Sequence, residues 1–264
     1  MHEKEAAMGA GLRARLVGLC DAMEARLGGL LDSKRRVSED VHEIRKLGKA
    51  LRGGLALVGM PGATVRAVTG VGRLLAGQRD AVSRLKTWER LGWDEGPQGQ
   101  DPAVRAVGAL LGKLARSAGR RPPAEAVAWA QAKIGEVRQA LARRTEDELQ
   151  GKLPHGVRRL RRRVGKRMRR VGMQHRDAPA FHELRKALKA WLGTQALLGE
   201  PTDETCVTLA ESLGDENDLS ALETWLAAHG FSEELAPVVW QRVSDLHHKL
   251  RTQLVAARNS AGFC

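Results

Sequence analysis

The chain has 264 residues, which is enough for one large domain or two smaller packed units. Its 44 lysines and arginines against 31 acidic residues give a net charge of +13 and a pI near 10.4, so a polyanionic partner or an anionic surface is expected. No run of about 18 apolar residues could span a bilayer, and the opening MHEKEAAMGAG lacks the apolar segment of a secretory signal, so we expect a soluble, cytoplasmic protein with no membrane partner.

The cysteines do not indicate a structural framework. Cys20, Cys206 and Cys264 are far apart, odd in number and in no CxxC pair. This pattern argues against disulfide bridges and against a zinc knuckle. We expect buried or incidental thiols.

The predicted fold class is all-α. Apolar residues recur at three- and four-residue spacing, and Ala, Leu, Arg, Glu and Lys dominate the chain. Prolines and glycines mark the ends of roughly eight to ten helices. These interruptions are MPGA from Met60, EGPQGQDP from Glu95, GRRPPAE from Gly119, KLPHG from Lys152, DAPA from Asp177 and GEPTDE from Gly199. GRRPPAE lies near the midpoint and is the predicted boundary between two halves.

The first distinctive helix contains VHEIRKLGK, beginning at Val41. At about 100° per residue, one side of this helix is cationic and the other is apolar, so it can pack by one stripe and bind by the other. The cationic side chains are those of His42, Arg45, Lys46, Lys49 and Arg52. The apolar side chains are those of Ile44, Leu47, Leu51, Leu55 and Val58.

The same stretch opens like the HExxH zinc signature, but Lys46 occupies the fifth position of the motif. Zinc requires a second imidazole one turn further on, and a protonated ammonium has no lone pair to offer. We therefore predict no metal and no cofactor. The cationic face is either merely solvated, as most helix-surface charge is, or a binding surface.

An aspartate follows this first helix, and a similar aspartate occurs later in the chain. LLAGQRDAVSRLKTW carries Asp80 ahead of Trp88, and later SLGDENDLSALETW carries Asp218 ahead of Trp225. Such an aspartate either orients a basic residue of a neighbouring helix or caps a helix N-terminus. We assign neither aspartate to a ligand.

A strongly basic helix is predicted from His155, where the chain reads HGVRRLRRRVGKRMRRVG without an acid. A narrow apolar stripe from Val157 to Val171 allows packing, while like charges one turn apart repel each other. An anion bound along the helix would relieve that repulsion. The candidate binding residues here are Arg158, Arg159, Arg162, Arg163, Lys166, Arg169 and Arg170.

FHELRKALK, beginning at Phe181, repeats the first distinctive helix, with Lys186 again replacing the second zinc-ligating histidine. Leu192 stands where the first copy has Arg52. Glu200 to Glu223 holds eight acids and no Lys or Arg, so charge is segregated along the chain, which favours a defined basic site. The candidate binding residues in this copy are His182, Arg185, Lys186 and Lys189. The predicted core positions include Trp129, Met168, Trp191 and Trp240.

The paired helices with the order His, Glu, apolar, Arg, Lys, each followed by LAGQRD or LGDEND, resemble the CHAD family, named for its histidine-containing α-helical domain. The likeness runs from about Gly11 to Arg258, so residues 1–264 are expected to form a single CHAD-like domain. It implies two four-helix bundles related by pseudo-twofold symmetry, with repeat halves at about 5–120 and 121–260, around a basic central cavity that binds inorganic polyphosphate. The positions that match are His42, Arg45, Lys49 and Arg52, and His182, Arg185 and Lys189. The departures are Leu192 and Gly77.

We therefore predict non-enzymatic binding of inorganic polyphosphate. This polymer has no bases, so it requires a row of cations, with arginine forks and lysine point charges on the phosphates. His42 and His182 would gain a proton beside a polyanion, so affinity is expected to rise as the pH falls from about 8 to 6. The alternative for each histidine is a bond to a neighbouring helix. Association with polyphosphate granules is one setting that fits.

Sequence-independent binding of duplex DNA or RNA is the alternative function, because neutralising phosphates serves nucleic acids equally well. The chain has no Tyr and three Phe, and its six Trp lie mostly in apolar contexts, which argues against a stacking platform for single strands. An enzyme is not predicted. The chain contains no P-loop, GxSxG or ExExK motif, and the adjacent His247 and His248 point to different helix faces.

Overall fold

The structure is a computed structural model of the chain, and it describes residues 11–32, 34–93, 96–118, 120–173 and 178–260. These residues contain α-helices, one short 3-10 helix and no strand, which confirms the predicted all-α fold. The α-helices are α1 Leu12–Gly29, α2 Val37–Leu57, α3 Gly62–Leu74, α4 Ala76–Glu89, α5 Pro102–Ala118, α6 Ala124–Ala142, α7 Glu146–Met173, α8 Ala178–Leu198, α9 Glu204–Ala228 and α10 Pro237–Ser260. The 3-10 helix, Pro97–Gln100, lies between α4 and α5.

Local signals explain several helix ends. α2 is followed by Gly59 at φ 68, and Met60 N–H donates to Leu55 O at 2.9 Å, which closes the helix with a left-handed residue. α7 begins with a reciprocal capping box, since Thr145 N–H donates to Glu148 Oε2 at 3.0 Å and Glu148 N–H donates to Thr145 Oγ1 at 3.2 Å. The 28-residue basic helix is thus fixed at its start.

The interruption expected at KLPHG is wrong, because α7 continues through Pro154. A proline inside a helix removes a backbone hydrogen bond and normally bends or ends it. Here tertiary contact holds the helix just beyond the proline. A Cβ on Gly156 would lie 2.0 Å from Leu57 O, and Arg159 Nη2 donates to Ala56 O at 2.6 Å. Packing against the end of α2 therefore overrides the local preference.

The chain divides into two compact units. Unit 1 comprises Met1–Arg79, Arg120–Arg163 and Lys189–Asp203, and unit 2 comprises Asp80–Gly119, Val164–Leu188 and Glu204–Cys264. α7 and α8 each contribute residues to both units. A segment of unit 1 does begin at residue 120, but each unit contains residues from before and after that position. The repeat halves at about 5–120 and 121–260 stay a prediction about sequence.

In unit 1 four helices pack in a closed ring. α1 contacts α2 and α6, and α3 contacts the same two helices. The core between them includes Leu16, Met23, Ile44, Leu55 and Ile134, none of them exposed. This arrangement is a four-helix bundle. The pseudo-twofold relation of two such bundles stays a prediction.

In unit 2, α9 packs against α10, and α10 also contacts α5. Its core is more aromatic than that of unit 1, with Trp88 and Trp93 ring centroids 4.7 Å apart and Trp225 buried nearby in the same cluster. Arg242 Nε donates to Leu91 O at 3.0 Å. α10 is therefore tied to the segment that follows α4.

The predicted core positions are confirmed in part. Met168 is buried, and Trp191 and Trp240 are partly buried, but Trp129 is 44% exposed. Trp129 lies over Gly70, where an added Cβ would stand 3.1 Å from its ring. The indole thus covers a helix surface that has no side chain of its own, so one edge stays open to solvent.

The thiols that the structure describes are buried as expected. Cys20 and Cys206 are both free and buried, and Cys264 lies outside the described residues. Burial, together with the nearby carboxylates of Asp21 and Glu24, raises the pKa of Cys20 to about 12. Cys20 is therefore an inert core thiol.

Candidate functional site

The cationic face predicted for α2 is present on the surface of unit 1. His42, Lys46, Lys49 and Arg52 are exposed and Arg45 is partly buried. The opposite stripe is in the core, since Ile44, Leu51, Leu55 and Val58 are at most 3% exposed and Leu47 packs against them. The helical periodicity of the sequence was therefore sufficient to separate the two faces.

Two cations of α2 have partners at defined distances. Lys46 Nζ lies 3.6 Å from Glu43 Oε2, and Arg45 Nη1 donates to Gly72 O at 3.0 Å, which fixes its direction. Partial burial, and next the positive charge of Arg45, lower the pKa of Arg52, although its side chain remains exposed to solvent. Arginine stays charged despite such a shift, so like charges crowd on this face.

The first part of α7 adds arginines to unit 1. It touches the C-terminal end of α2 at Gly156 and Arg159, as described above. Arg159 satisfies a carbonyl at the end of α2, which is the favourable place for a cation on a helix. The other predicted arginines of this part are exposed: Arg158, Arg162 and Arg163.

The second part of α7 lies in unit 2. Lys166 and Arg169 are exposed and Arg170 is partly buried. Arg167 was not among the candidate residues, yet its Nη2 lies 3.3 Å from Glu183 Oε2 of α8. Its place in the basic run was visible in the sequence, but its partner was not.

The cationic face of α8 is present as well. His182, Lys186 and Lys189 are exposed, Arg185 is partly buried, and Leu184 and Leu188 are in the core. Lys186 Nζ lies 2.8 Å from Glu183 Oε1, so Glu183 is shared by two cations. Arg185 Nε is buried with no hydrogen-bond partner among the described residues. An exposed ligand atom could not reach that nitrogen without rearrangement.

The sequence reasoning missed two residues of unit 2, Asn217 and Arg90. His182 Nδ1 is hydrogen-bonded to Asn217 Oδ1 of α9. Arg90, at the end of α4, places Nη1 2.6 Å from Asp215 Oδ1 and Nη2 4.0 Å from Asp218 Oδ2. The neighbouring LGDEND segment was the available signal for both.

The helix-cap role considered for Asp80 and Asp218 is wrong. Asp80 is the fifth residue of α4, and Asp218 lies well inside α9. Asp218 Oδ2 lies 4.0 Å from Nη2 of Arg90, which follows α4 and is not part of a helix, so a pairing with a basic residue of a neighbouring helix stays a prediction. Both aspartates lie past the first turn because the helices begin earlier than the LG motif suggests.

The candidate residues thus fall into two sets, one for each unit. The set in unit 1 is His42, Arg45, Lys46, Lys49, Arg52, Arg158, Arg159, Arg162, Arg163 and Lys189. The set in unit 2 is Lys166, Arg169, Arg170, His182, Arg185 and Lys186. Each set offers several cations on helix surfaces, which is chemistry for holding phosphates or carboxylates.

A polar cluster around the buried Glu216 and His247 also joins α9 to α10 in unit 2. Arg251 donates from Nε and Nη2 to Glu216 Oε1 at 3.1 and 2.9 Å, and Ser220 Oγ donates to the same oxygen at 3.1 Å. His247 places Nε2 3.2 Å from Ser220 Oγ and Nδ1 3.4 Å from Glu223 Oε2. Burial, and then the charge of Arg251, lower the pKa of His247 to about 4. Burial likewise raises the pKa of Glu223.

The order serine, histidine, carboxylate is that of a hydrolytic triad, but the hydrogen bonds differ. The hydroxyl proton of Ser220 is directed to Glu216, so His247 faces a lone pair and not a proton that it could withdraw. Ser220 also lies inside α9, where backbone N–H groups are used by the helix and not by an oxyanion. The cluster therefore works as a buried structural network. His248 is exposed.

Among the described residues, no group of three or more His, Cys, Asp or Glu side chains is arranged to hold a metal ion. None of the described helices is both long and apolar enough to cross a membrane.

Comparison with known proteins gives two matches and one negative result. The model of the CHAD domain matches residues 18–227. The crystal structure of the CHAD domain from the plant Ricinus communis superposes with a TM-score of 0.54 over 96% of this chain and 89% of that chain, at 17% sequence identity. Identity this low shows a shared fold alone. No curated protein matches the chain.

Proposed function

This chain belongs to the CHAD domain family, and from that premise we propose that it binds inorganic polyphosphate through the exposed cations of α2, α7 and α8, without catalysing a reaction. The resemblance of the two histidine helices to that family suggested polyphosphate, and the chemistry of the two cationic sets is compatible with it. A location in the cytoplasm, in association with polyphosphate granules, is part of the same proposal.

The crowding of cations on α2 is the observation that carries the proposal. Partial burial, and next the charge of Arg45, lower the pKa of Arg52, and Lys46 on the same face lies 3.6 Å from Glu43 Oε2. α7 meets the end of this helix and supplies further arginines with no acid between Arg158 and Arg170. Like charges held together by folding lower the stability of the protein. A bound polyanion would reverse that effect.

The kinds of side chain fit a bare phosphate chain. Guanidinium forks engage pairs of phosphate oxygens, while lysine ammonium groups act as mobile point charges. Stacking residues are not needed for a polymer that has no bases. Three tryptophans of unit 2, Trp88, Trp93 and Trp225, are buried in its core, and Trp240 is partly buried. The exposed Trp129 is a single indole and does not form a row of stacking rings.

A competition titration tests the proposal. Labelled long-chain polyphosphate is bound to the full-length protein and displaced with duplex DNA, single-stranded RNA or unlabelled polyphosphate across a salt series. Binding of all three polyanions should weaken as the salt concentration rises, so affinities are compared at the same salt concentration. We expect polyphosphate to win by at least about tenfold, or 1.4 kcal/mol. Equal competition by duplex DNA or RNA would replace the proposal with general nucleic-acid binding.

A matched pair of variants makes the titration specific to the proposed surfaces. Arg162→Glu and Arg143→Glu change the net charge equally, and both side chains are exposed, but only Arg162 belongs to the basic run of α7. Polyphosphate affinity should fall for Arg162→Glu and stay near that of the unmodified protein for Arg143→Glu. Equal losses would mean that net charge alone governs binding.

A further inference from the structure

The side chain of His182 is held by a neighbouring amide. Its Nδ1 is hydrogen-bonded to Oδ1 of Asn217, which comes from α9, while the histidine itself is exposed at the surface of unit 2. Histidine has two ring nitrogens, and the bond made by one decides where the proton resides in the neutral ring. The orientation of the Asn217 amide is therefore decisive.

The orientation of that amide follows from its second neighbour. Asn217 Nδ2 donates to Asp218 Oδ1 at 3.4 Å. A reversed amide would turn its oxygen toward a carboxylate, which has only acceptors, so the observed orientation is the favourable one. The amide oxygen then faces His182. Because that oxygen can only accept, Nδ1 of His182 must carry the proton.

We propose that Asn217 is a positioning residue that fixes His182 in the tautomer with the proton on Nδ1, so that Nε2 is the nitrogen that takes up a proton when a phosphate binds. This inference rests on the proposed function and names how one residue of the site would respond to its ligand. Neutral His182 presents a lone pair at Nε2, which repels phosphate oxygens. Protonation at Nε2 converts it into a charged donor.

The surroundings support a fixed amide. Asp218 lies 4.0 Å from Arg90 Nη2, and Asp215 lies 2.6 Å from Arg90 Nη1, so an ion-pair cluster holds the α9 segment that carries Asn217. The charged groups near this place are Arg90, which follows α4, Arg167 of α7, Glu183, Arg185 and Lys186 of α8, and Asp215 and Asp218 of α9.

The first copy differs at the aligned position. LAGQRD places Arg79 where LGDEND has Asn217. A guanidinium has donors only, so an arginine cannot accept a proton from a histidine nitrogen. The aligned position therefore supplies an amide acceptor in the second copy and not in the first.

Side-chain nitrogen NMR on the full-length protein tests the tautomer without any ligand. Spectra are recorded near pH 8, where an ordinary histidine is neutral, and the His182 signals are assigned with His182→Gln. The unmodified protein and Asn217→Asp, which keeps an acceptor, should show the proton on Nδ1. Asn217→Leu, which removes the acceptor, should move it toward Nε2. A proton on Nε2 in the unmodified protein, or an unchanged spectrum in Asn217→Leu, would overturn the proposal.

Polyphosphate binding at about pH 6 and pH 8 tests the consequence. In Asn217→Leu the neutral ring can already donate from Nε2, so the ratio of Kd at pH 8 to Kd at pH 6 should fall by roughly twofold or more. A purely structural role would weaken binding equally at both pH values and leave the ratio unchanged, which contradicts the proposal. If the unmodified protein bound no polyphosphate, the proposed function would fail, whereas the ligand-free spectra would still decide the role of Asn217.

Discussion

The two histidine helices, α2 and α8, share one sequence pattern but have different neighbours. On α2, Glu43 is the carboxylate beside Lys46, at 3.6 Å. On α8, the corresponding Glu183 lies 2.8 Å from Lys186 and 3.3 Å from Arg167. A repeated motif therefore repeats the direction of its side chains, while the charge that it presents to a ligand depends on what packs beside it.

The two helices also differ on their buried sides. Val41 of α2 and Phe181 of α8 occupy the same place in the motif, and both are buried. Phe181 has the guanidinium of Arg251 5.8 Å from its ring centroid, and Arg251 pairs with Glu216 in the cluster that contains His247. Ionisable groups therefore lie close to the buried side of α8.

The largest expected effect concerns stability at acid pH, which should depend on His247 in the polar cluster between α9 and α10. His247 has a pKa of about 4 in the folded protein, below its ordinary value, so the unfolded chain binds more protons between about pH 6.5 and 4. This group therefore costs no stability above about pH 6.5, and the cost grows as the pH falls toward 4. Between about pH 7.5 and 4.5 the loss is on the order of 2 to 3 kcal/mol.

Urea unfolding of the unmodified protein and His247→Asn at both pH values measures that loss. The difference in unfolding free energy between the two proteins should move in favour of the variant as the pH falls. Glu223, whose raised pKa acts in the opposite direction, is present in both proteins and largely cancels in the difference. Parallel losses in the two proteins would locate the acid sensitivity elsewhere.

Charge reversal on each histidine helix should have the next largest effect. Arg45→Glu and Arg185→Glu replace an attraction for phosphate by a repulsion, and each should weaken binding of long-chain polyphosphate by about tenfold at low salt. Fluorescence titration gives the affinities, and circular dichroism checks that each variant is folded. Arg143→Glu and Lys249→Glu, both exposed positions outside the candidate sets, are the charge-matched controls. A loss for one helix alone would assign binding to that copy.

Removal of the acid on each helix should produce a smaller effect in the opposite direction. Glu183→Gln releases Lys186 and Arg167, whereas Glu43→Gln releases Lys46. Ion pairs near a protein surface are each worth roughly 0.5 kcal/mol, so Glu183→Gln should tighten polyphosphate binding by roughly fivefold and Glu43→Gln by about twofold. The same titration measures both. Equal gains in affinity would show that the contact between Glu183 and Arg167 has no influence on binding.

The smallest effect is expected from the histidines themselves. Affinity should rise as the pH falls from about 8 to 6, and His42→Gln and His182→Gln should each remove part of this rise, roughly twofold. Kd values measured at constant ionic strength across this range provide the test. A flat profile in the unmodified protein would exclude a ligand role for both histidines.

Much of the candidate site could be predicted because it depends on helix periodicity. The exposed His42, Lys49 and Lys186 and the buried Ile44 and Leu184 are where a period of 3.6 residues places them. Asn217, Arg90 and Arg167 could not be assigned roles in this way. Each acts on a residue of another helix, and sequence spacing carries no information about that distance.

The sequence by itself determined the all-α fold class, the two cationic faces, the basic charge and the family resemblance, since these depend on local propensity and repeated pattern. The tertiary structure decided that α7 continues through Pro154, that Trp129 stays exposed over Gly70, and that Asp218 pairs with Arg90. The reason is physical. Periodicity fixes the direction of a side chain about its own helix axis, whereas its partner, its burial and its protonation depend on residues that only packing brings close.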